Sequence, residues 1–219
     1  MNNKHSKKDK IILFDLDGTL IDSTEAILES FAVAFGQYGG NLPSKRQIKA
    51  EIGHPLDDMF ASLGVDSLHI EKYVKAYKKH YREISCSKTI LLPHAQEAVA
   101  LAYEEAYLGV VTTKTGLYSV ELLEHMNLMH YFDVLVGREH VLHPKPNPEP
   151  IQKALLQLPK VTSGIWMIGD TCMDMHAAQR AGIDGIAVLC GYGSKELLMK
   201  CSNKTHQNAL QAIQFIAKK

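Results

Sequence analysis

Five short apolar runs, each ending in small or polar residues, constrain this chain most. They cover residues 11–14, 108–111, 134–136, 165–168 and 185–189. They are too short for buried helices and too uniformly apolar for strands with one wet face, so they read as strands covered on both sides. Helical patterns at 95–106, 117–126, 149–156 and 173–181 fall between them. Strand and helix in alternation imply right-handed crossovers and a parallel, doubly wound α/β sheet. With 219 residues, 46% of them hydrophobic, the chain can bury such a core and still carry a modest insertion.

The insertion is visible between Leu20 and Lys88, where no strand pattern occurs. Asp22-Ser23-Thr24-Glu25 predicts a helix start, with Asp22 as cap and Glu25 reaching back, and the helix should run to about Phe35. Amphipathic stretches at 45–52, 56–63 and 68–84 are separated by Gly39-Gly40, Gly53-His54-Pro55 and Gly64-Val65-Asp66. The expected organisation is a catalytic core of residues 1–20 and 88–219, with residues 21–87 as a small helical cap. Tyr73, Tyr77 and Tyr81 recur every fourth residue, which predicts a packed helix stripe. The lysine-rich stretch before Ile11 should fray.

Ligands of an open parallel sheet bind beyond the carboxyl ends of its strands, and four of the five runs deliver reactive groups there. The first gives Asp15-Leu16-Asp17-Gly18-Thr19, whose two carboxylates leave an extended backbone on the same side. The second gives Thr112-Thr113-Lys114 ahead of a helix, whose free N–H groups favour an anion. The third gives Lys145 within Pro144-Lys145-Pro146-Asn147-Pro148, a loop stiffened by proline. The fourth gives Gly169-Asp170-Thr171-Cys172-Met173-Asp174, with Asp170 and Asp174 four apart at a helix start. Four carboxylates, a lysine, a hydroxyl and a helix N-terminus suit phosphoryl transfer. Hard carboxylate oxygens match Mg²⁺, and cations can spread over the phosphoryl oxygens.

In their order and type these clusters resemble the haloacid dehalogenase (HAD) superfamily of phosphohydrolases. Asp15-Leu16-Asp17-Gly18-Thr19 is similar to its first motif, Thr112 to the second-motif hydroxyl, Lys145 to the third-motif lysine, and Asp170 with Asp174 to the acidic fourth motif. Val111-Thr112-Thr113-Lys114, the 144–150 loop and Gly191-Tyr192-Gly193 look most like phosphoglycolate phosphatases and their relatives, including pyrophosphatases. The resemblance implies a Rossmann-like core with a helical cap that closes over a small phosphorylated substrate. It implies Asp15 as nucleophile and Mg²⁺ ligand. Asp17 would be general acid and base, its carbonyl also on the metal. Thr112 and Lys145 would bind the phosphoryl group, and Asp170 and Asp174 would serve the metal. Thr113 stands where the family commonly has Asn, and Pro93-His94 where relatives have Pro-Gly. The segment from Lys195 onward matches poorly. Phosphoglycolate phosphatase is the leading expectation; an inorganic pyrophosphatase, a sugar-phosphate or nucleotide phosphatase of the same family, and a β-phosphoglucomutase-like isomerase are the alternative activities, although Thr19 favours hydrolysis over the mutase.

Other residues refine these expectations. Twenty-four basic and twenty-four acidic residues balance, so no global field recruits nucleic acid or a membrane surface. The basic start and the short run at 11–14 do not make a secretory signal, and the expectation is a soluble cytoplasmic monomer or homodimer. Cys86, Cys172, Cys190 and Cys201 are widely spaced and expected to be reduced, with Cys172 packed and unreactive. His54, in the turn of the insertion, is a candidate substrate contact, with Thr113 beside the phosphoryl site. His140 and His143 lack further partners for a metal, Trp166 reads as core, and Arg46, Lys49, Lys79 and Arg82 read as solvated helix faces.

Overall fold

Strand β1 (Lys10–Phe14) sends Ile11 and Leu13 into one hydrophobic cluster and Ile12 and Phe14 into another. A strand apolar at successive positions must be covered on both faces, and β1 lies inside a six-stranded sheet. The computed structural model describes residues 8–219. Most of the lysine-rich stretch read as frayed lies outside the described residues.

From β1 the chain passes through β2 (Ile21–Asp22) into four helices, α1 (Thr24–Tyr38), α2 (Lys45–Glu51), α3 (Leu56–Ser62) and α4 (Ile70–Ile84), and returns through β3 (Ile90–Leu91). Strand and helix then alternate: α5 (Ala95–Tyr103), β4 (Ala106–Val111), α6 (Gly116–His125), β5 (Val134–Val136), α7 (Glu149–Leu155), β6 (Ile165–Gly169), α8 (Cys172–Ala181), β7 (Asp184–Val188), α9 (Lys195–Cys201), β8 (Thr205–His206) and α10 (Ala209–Ile216). The sheet order is β5-β4-β1-β6-β7-β8, and every pairing is parallel. The chain builds outward from β1 to β5, crosses back to β6 and builds the other way. The switch point therefore flanks β1, where such sheets place their ligands.

Helices α1 to α4 have a hydrophobic cluster of their own. Ile27, Phe31 and Phe35 of α1 meet Phe60 of α3 and Tyr73, Tyr77 and Tyr81 of α4. The ring of Phe31 lies 4.6 Å from Phe60 and 5.1 Å from Tyr77, an arrangement in which aromatic pairs add to simple burial. The tyrosine stripe is packed, as its four-residue spacing predicts. Trp166 is buried in the sheet core. No helix among the described residues is long and apolar enough to cross a membrane.

Three local expectations need correction. The two-residue strand β2, in the interval read as strandless, pairs antiparallel with β3 just beyond that interval, and neither was legible because two residues are too few to show a period. The segment after Lys195, which carried no structural expectation, supplies an edge strand, β8, and helix α10, which buries Ala212, Ile213 and Ile216 in the main core. Asp22 accepts a hydrogen bond from the Thr24 N–H at 2.9 Å, but Ser23 is the N-cap residue of α1 and Glu25 pairs with Lys88 instead of closing a capping box. Cys172 and Cys201 form a disulfide across 29 residues, because the start of α8 packs beside the end of α9 with 5.8 Å between the Cα atoms. Linear spacing carries no information on that proximity, and the pairing removes the argument the cysteines offered for a reducing compartment.

His94 shows what its unusual place before α5 costs. It has φ +65°, left-handed backbone that glycine adopts freely and a residue with a Cβ does not. His94→Gly is expected to stabilise the protein by about 0.5–1 kcal/mol, since relief of strain exceeds the entropy glycine adds to the unfolded chain. Thermal denaturation should show a midpoint roughly 1–4 °C higher, and an unchanged or lower midpoint would contradict the account.

Candidate active site

Asp15, Thr112 and Asp170 each follow directly on a strand, β1, β4 and β6, and these strands are neighbours in the sheet. The ladder continues past β1, for the Asp15 N–H donates to the Ile168 carbonyl at 2.9 Å, so the Asp15 backbone is held by the sheet itself. Lys145 arrives from the proline loop before α7 and is buried. Its ammonium donates to Asp15 Oδ1 at 2.8 Å, to Asp174 Oδ1 at 2.6 Å and to the Val111 carbonyl at 2.9 Å. All three N–H donors are used.

The acidic residues of α8 are positioned by the helix start. Thr171 is the N-cap residue, and Asp174 at the third helical position accepts from its N–H at 3.1 Å and its hydroxyl at 2.7 Å. Asp170 just precedes the helix, completely buried, accepting from the Thr19 hydroxyl at 3.3 Å and the Tyr192 N–H at 2.7 Å. Two glycines make room for it. A Cβ on Gly18 would lie 2.3 Å from Asp170 Oδ2, and one on Gly191 would lie 2.1 Å away, so neither position accepts a side chain without displacing the carboxylate.

Asp15, Asp170 and Asp174 each offer a carboxylate oxygen, and these oxygens lie within 4.8 Å of one another. Burial raises the Asp15 carboxyl to about 7, with the charge of Asp174 adding to the rise and Lys145 opposing it. Burial and the charges of Asp15 and Asp174 raise Asp170 well above the ordinary carboxylate range. Lys145 shifts the other way. Burial would lower its pKa, but the charges of Asp15 and Asp174 more than reverse that and raise it. Three crowded carboxylates with one ammonium leave negative charge uncompensated, and the donor set is hard oxygen throughout. These residues fit a small divalent cation.

Asp17 stands on the other side of Asp15, towards the helical unit. Its Oδ1 accepts from the Ser23 hydroxyl and its Oδ2 pairs with Lys114 Nζ at 3.1 Å. Lys114 in turn donates to the Tyr81 hydroxyl at 3.0 Å and lies over the Tyr81 ring at 4.4 Å. A cavity of about 80 Å³ lies beside Asp15 and Asp17, lined also by Thr112 and by His54, Tyr77 and Tyr81 of the helical unit. His54 is exposed, so it borders this cavity from the solvent side.

Other residues take contacts that the sequence did not specify. The Thr113 hydroxyl donates to the Gly53 carbonyl at 2.7 Å and so ties the core to the helical unit. The N-terminal N–H groups of α6, read as an anion site for substrate, already hold one. Gly116 N–H donates to both Glu139 oxygens at 2.9 and 2.8 Å, and Leu117 N–H to one at 3.4 Å. Burial alone would raise the Glu139 carboxyl, but these donors, Gly116 first, more than offset it and lower the pKa. His140 Nδ1 accepts from the Gly137 N–H and His143 pairs with Glu149, so the two imidazoles serve separate turns. Tyr192, noted only as part of a glycine-rich motif, joins the two parts of the protein. Its N–H binds Asp170 while its hydroxyl meets Thr24 at 3.1 Å and Asp22 at 3.3 Å. An aromatic between two glycines is a faint signal for such a role.

The raised carboxyl groups lead to a pH dependence. A cation held by Asp15 would compete with a proton below about 7, so the affinity of the cluster for a divalent cation such as Mg²⁺ should rise as the pH is increased from about 6 to 8, with protons released on binding. Calorimetric titration at several pH values tests this, and a flat profile would take Asp15 out of the cation shell. Gly191→Ala should weaken the same binding by roughly tenfold or more through displacement of Asp170.

Comparison with known proteins agrees with this arrangement. Residues 12–188 match the sequence model of the haloacid dehalogenase-like hydrolases. A Dickeya dadantii protein named "Probable phosphatase IndB" is 32% identical over 194 residues, covering 86% of this chain and 84% of that protein. Pyrophosphatase PpaX of Bacillus mycoides is 34% identical over 182 residues, covering 81% and 82%. Among solved structures, a Bacteroides fragilis protein described as a "Putative haloacid dehalogenase-like hydrolase" superposes with a TM-score of 0.85 at 26% identity, covering 92% of this chain and 98% of that one. The chain belongs to the haloacid dehalogenase-like hydrolases and is a phosphatase of that family.

Proposed function

We propose that this phosphatase hydrolyses a small phosphorylated metabolite with Mg²⁺ through an aspartyl-phosphate on Asp15, and that phosphoglycolate is the leading substrate. The observation that carries the reading is the buried cluster of Asp15, Lys145, Asp174 and Asp170 beside a cavity bordered by the helical unit. In this reading residues 21–87 act as the cap and residues 1–20 and 88–219 as the catalytic core. The small cavity suits a small leaving group. The family motif details lean towards phosphoglycolate, and a Haemophilus somnus protein described as "a predicted phosphoglycolate phosphatase" shares the fold, with a TM-score of 0.85 at 21% identity. Pyrophosphate is the second reading, supported by the name of the PpaX relatives.

Asp15, Asp170 and Asp174, with the backbone carbonyl of Asp17, would hold the cation. When bound, Mg²⁺ supplies positive charge at the phosphoryl oxygens and offsets the carboxylates. Lys145 keeps one Asp15 oxygen fixed by its 2.8 Å contact, leaving the other to attack phosphorus. Thr112, whose hydroxyl accepts from the Lys114 N–H at 3.2 Å, borders the transferring group. In the first step the Asp15–phosphorus bond forms, the phosphorus–oxygen bond to the leaving group breaks, and Asp17 gives its proton to the departing oxygen. In the second, Asp17 takes a proton from water, the water oxygen attacks phosphorus, and phosphate leaves with Asp15 restored. Ser23 and Lys114 aim the Asp17 carboxylate throughout.

Asp15→Asn keeps the size of the side chain and removes its nucleophilic oxygen, so turnover should fall by at least about 10³-fold while the circular dichroism spectrum is unchanged. Substantial residual turnover in the folded variant would remove Asp15 from the role. Phosphate release from a panel of phosphorylated metabolites, ranked by kcat/KM, should place phosphoglycolate or pyrophosphate first, and a sugar phosphate in first place would overturn the substrate assignment.

A further inference from the structure

The cavity beside Asp15 carries more positive charge than the proposed chemistry uses. Of the charged groups that border it, Asp15 is paired with Lys145 and Asp17 with Lys114. Arg138 and Lys78 also line it, and neither has a carboxylate partner among the described residues. The remaining carboxylate is Asp57, in the first turn of α3, where the helix N-terminus favours a negative charge.

Arg138 is held beside the second strand-end turn. Its backbone N–H donates to the Lys114 carbonyl at 2.9 Å and its Nη1 to the Val141 carbonyl at 3.0 Å. Its Nε is buried and lacks an acceptor among the described residues. The adjacent Glu139, which might have neutralised it, is committed to the N–H groups of α6. A guanidinium presents a planar fork that matches carboxylate and phosphate oxygens, and buried polar groups without a partner are rare. Lys78 approaches the same space from α4 of the helical unit. Pyrophosphate and phosphoglycolate, the two substrates suggested by the relatives, differ in size but share a second anionic group.

We propose that Arg138, assisted by Lys78, binds a second anionic group on the leaving part of the substrate, so that the protein selects phosphorylated compounds whose leaving group carries a carboxylate or another phosphoryl group. The proposal rests on the phosphatase reading of the Asp15 site. Arg138 sets selectivity, and the bond-making steps stay with Asp15 and Asp17.

The test measures kcat/KM for phosphoglycolate, pyrophosphate and para-nitrophenyl phosphate, whose leaving group carries no carboxylate or second phosphoryl group, in the full chain and in Arg138→Gln, Arg138→Lys and Lys78→Gln. The ratio of each anionic substrate to para-nitrophenyl phosphate should fall by roughly tenfold or more in Arg138→Gln, with Arg138→Lys between it and the parent and Lys78→Gln moving the same way. A fall confined to phosphoglycolate identifies a carboxylate as the bound group, and one confined to pyrophosphate a phosphoryl group. Equal losses on all three substrates, no change in either ratio, or a parent enzyme that hydrolyses only para-nitrophenyl phosphate would overturn the proposal. If the parent hydrolyses none of the three, the phosphatase reading fails, and calorimetry with pyrophosphate decides the subsite separately. About tenfold weaker binding to Arg138→Gln supports it, and equal or absent binding sinks it.

Discussion

A single buried ammonium, that of Lys145, holds together the carboxyl end of the sheet. It joins Asp15 at the end of β1, Asp174 in the first turn of α8 and the carbonyl at the end of β4. Each of these groups is costly to bury alone, and loss of one leaves the others uncompensated. The remaining contacts of the site extend from this junction. Thr171 occupies the second oxygen of Asp174, while Thr19 and the Tyr192 N–H hold Asp170. Gly18 and Gly191 leave the space that Asp170 fills. The geometry of the acids is thus set by backbone and by neutral donors, with one cation at the centre.

The helical unit is tied to the same loops. Thr113 reaches the Gly53 carbonyl, Lys114 reaches Tyr81, Ser23 reaches Asp17, and Tyr192 spans Asp170 and the start of α1. A shift of α1 to α4 would therefore be felt at Asp17 and Asp170 through direct hydrogen bonds. The aromatic cluster of Phe31, Phe60 and Tyr77 lets those helices keep their own packing during such a shift.

Legibility from sequence followed the physics of each feature. The five buried strands announced themselves because a strand covered on both faces must be apolar throughout, and the residues ending four of their runs are the ones that meet around Lys145 and the cavity. Features with no local period were hidden. Strands β2, β3 and β8 have two residues each, and Cys172 and Cys201 meet only because α8 and α9 pack together. The left-handed backbone at His94 was signalled only by the glycine that relatives carry there. The N-terminus of α6 looked free until Glu139 was found upon it, since a helix start advertises its donors but not the acceptor that folding brings.

By itself the sequence determined the alternation that makes a parallel sheet, the interval of helices after its first strand, and the order in which acids, hydroxyl and lysine leave the strand ends. These are consequences of side-chain hydrophobicity and spacing along one chain. Only the tertiary structure decided which oxygens Lys145 binds, that Thr113 faces Gly53, and that Arg138 borders the cavity with a buried donor unmatched among the described residues. Those facts depend on distances between residues far apart in the chain, and such distances exist only once the sheet and the helical unit have packed.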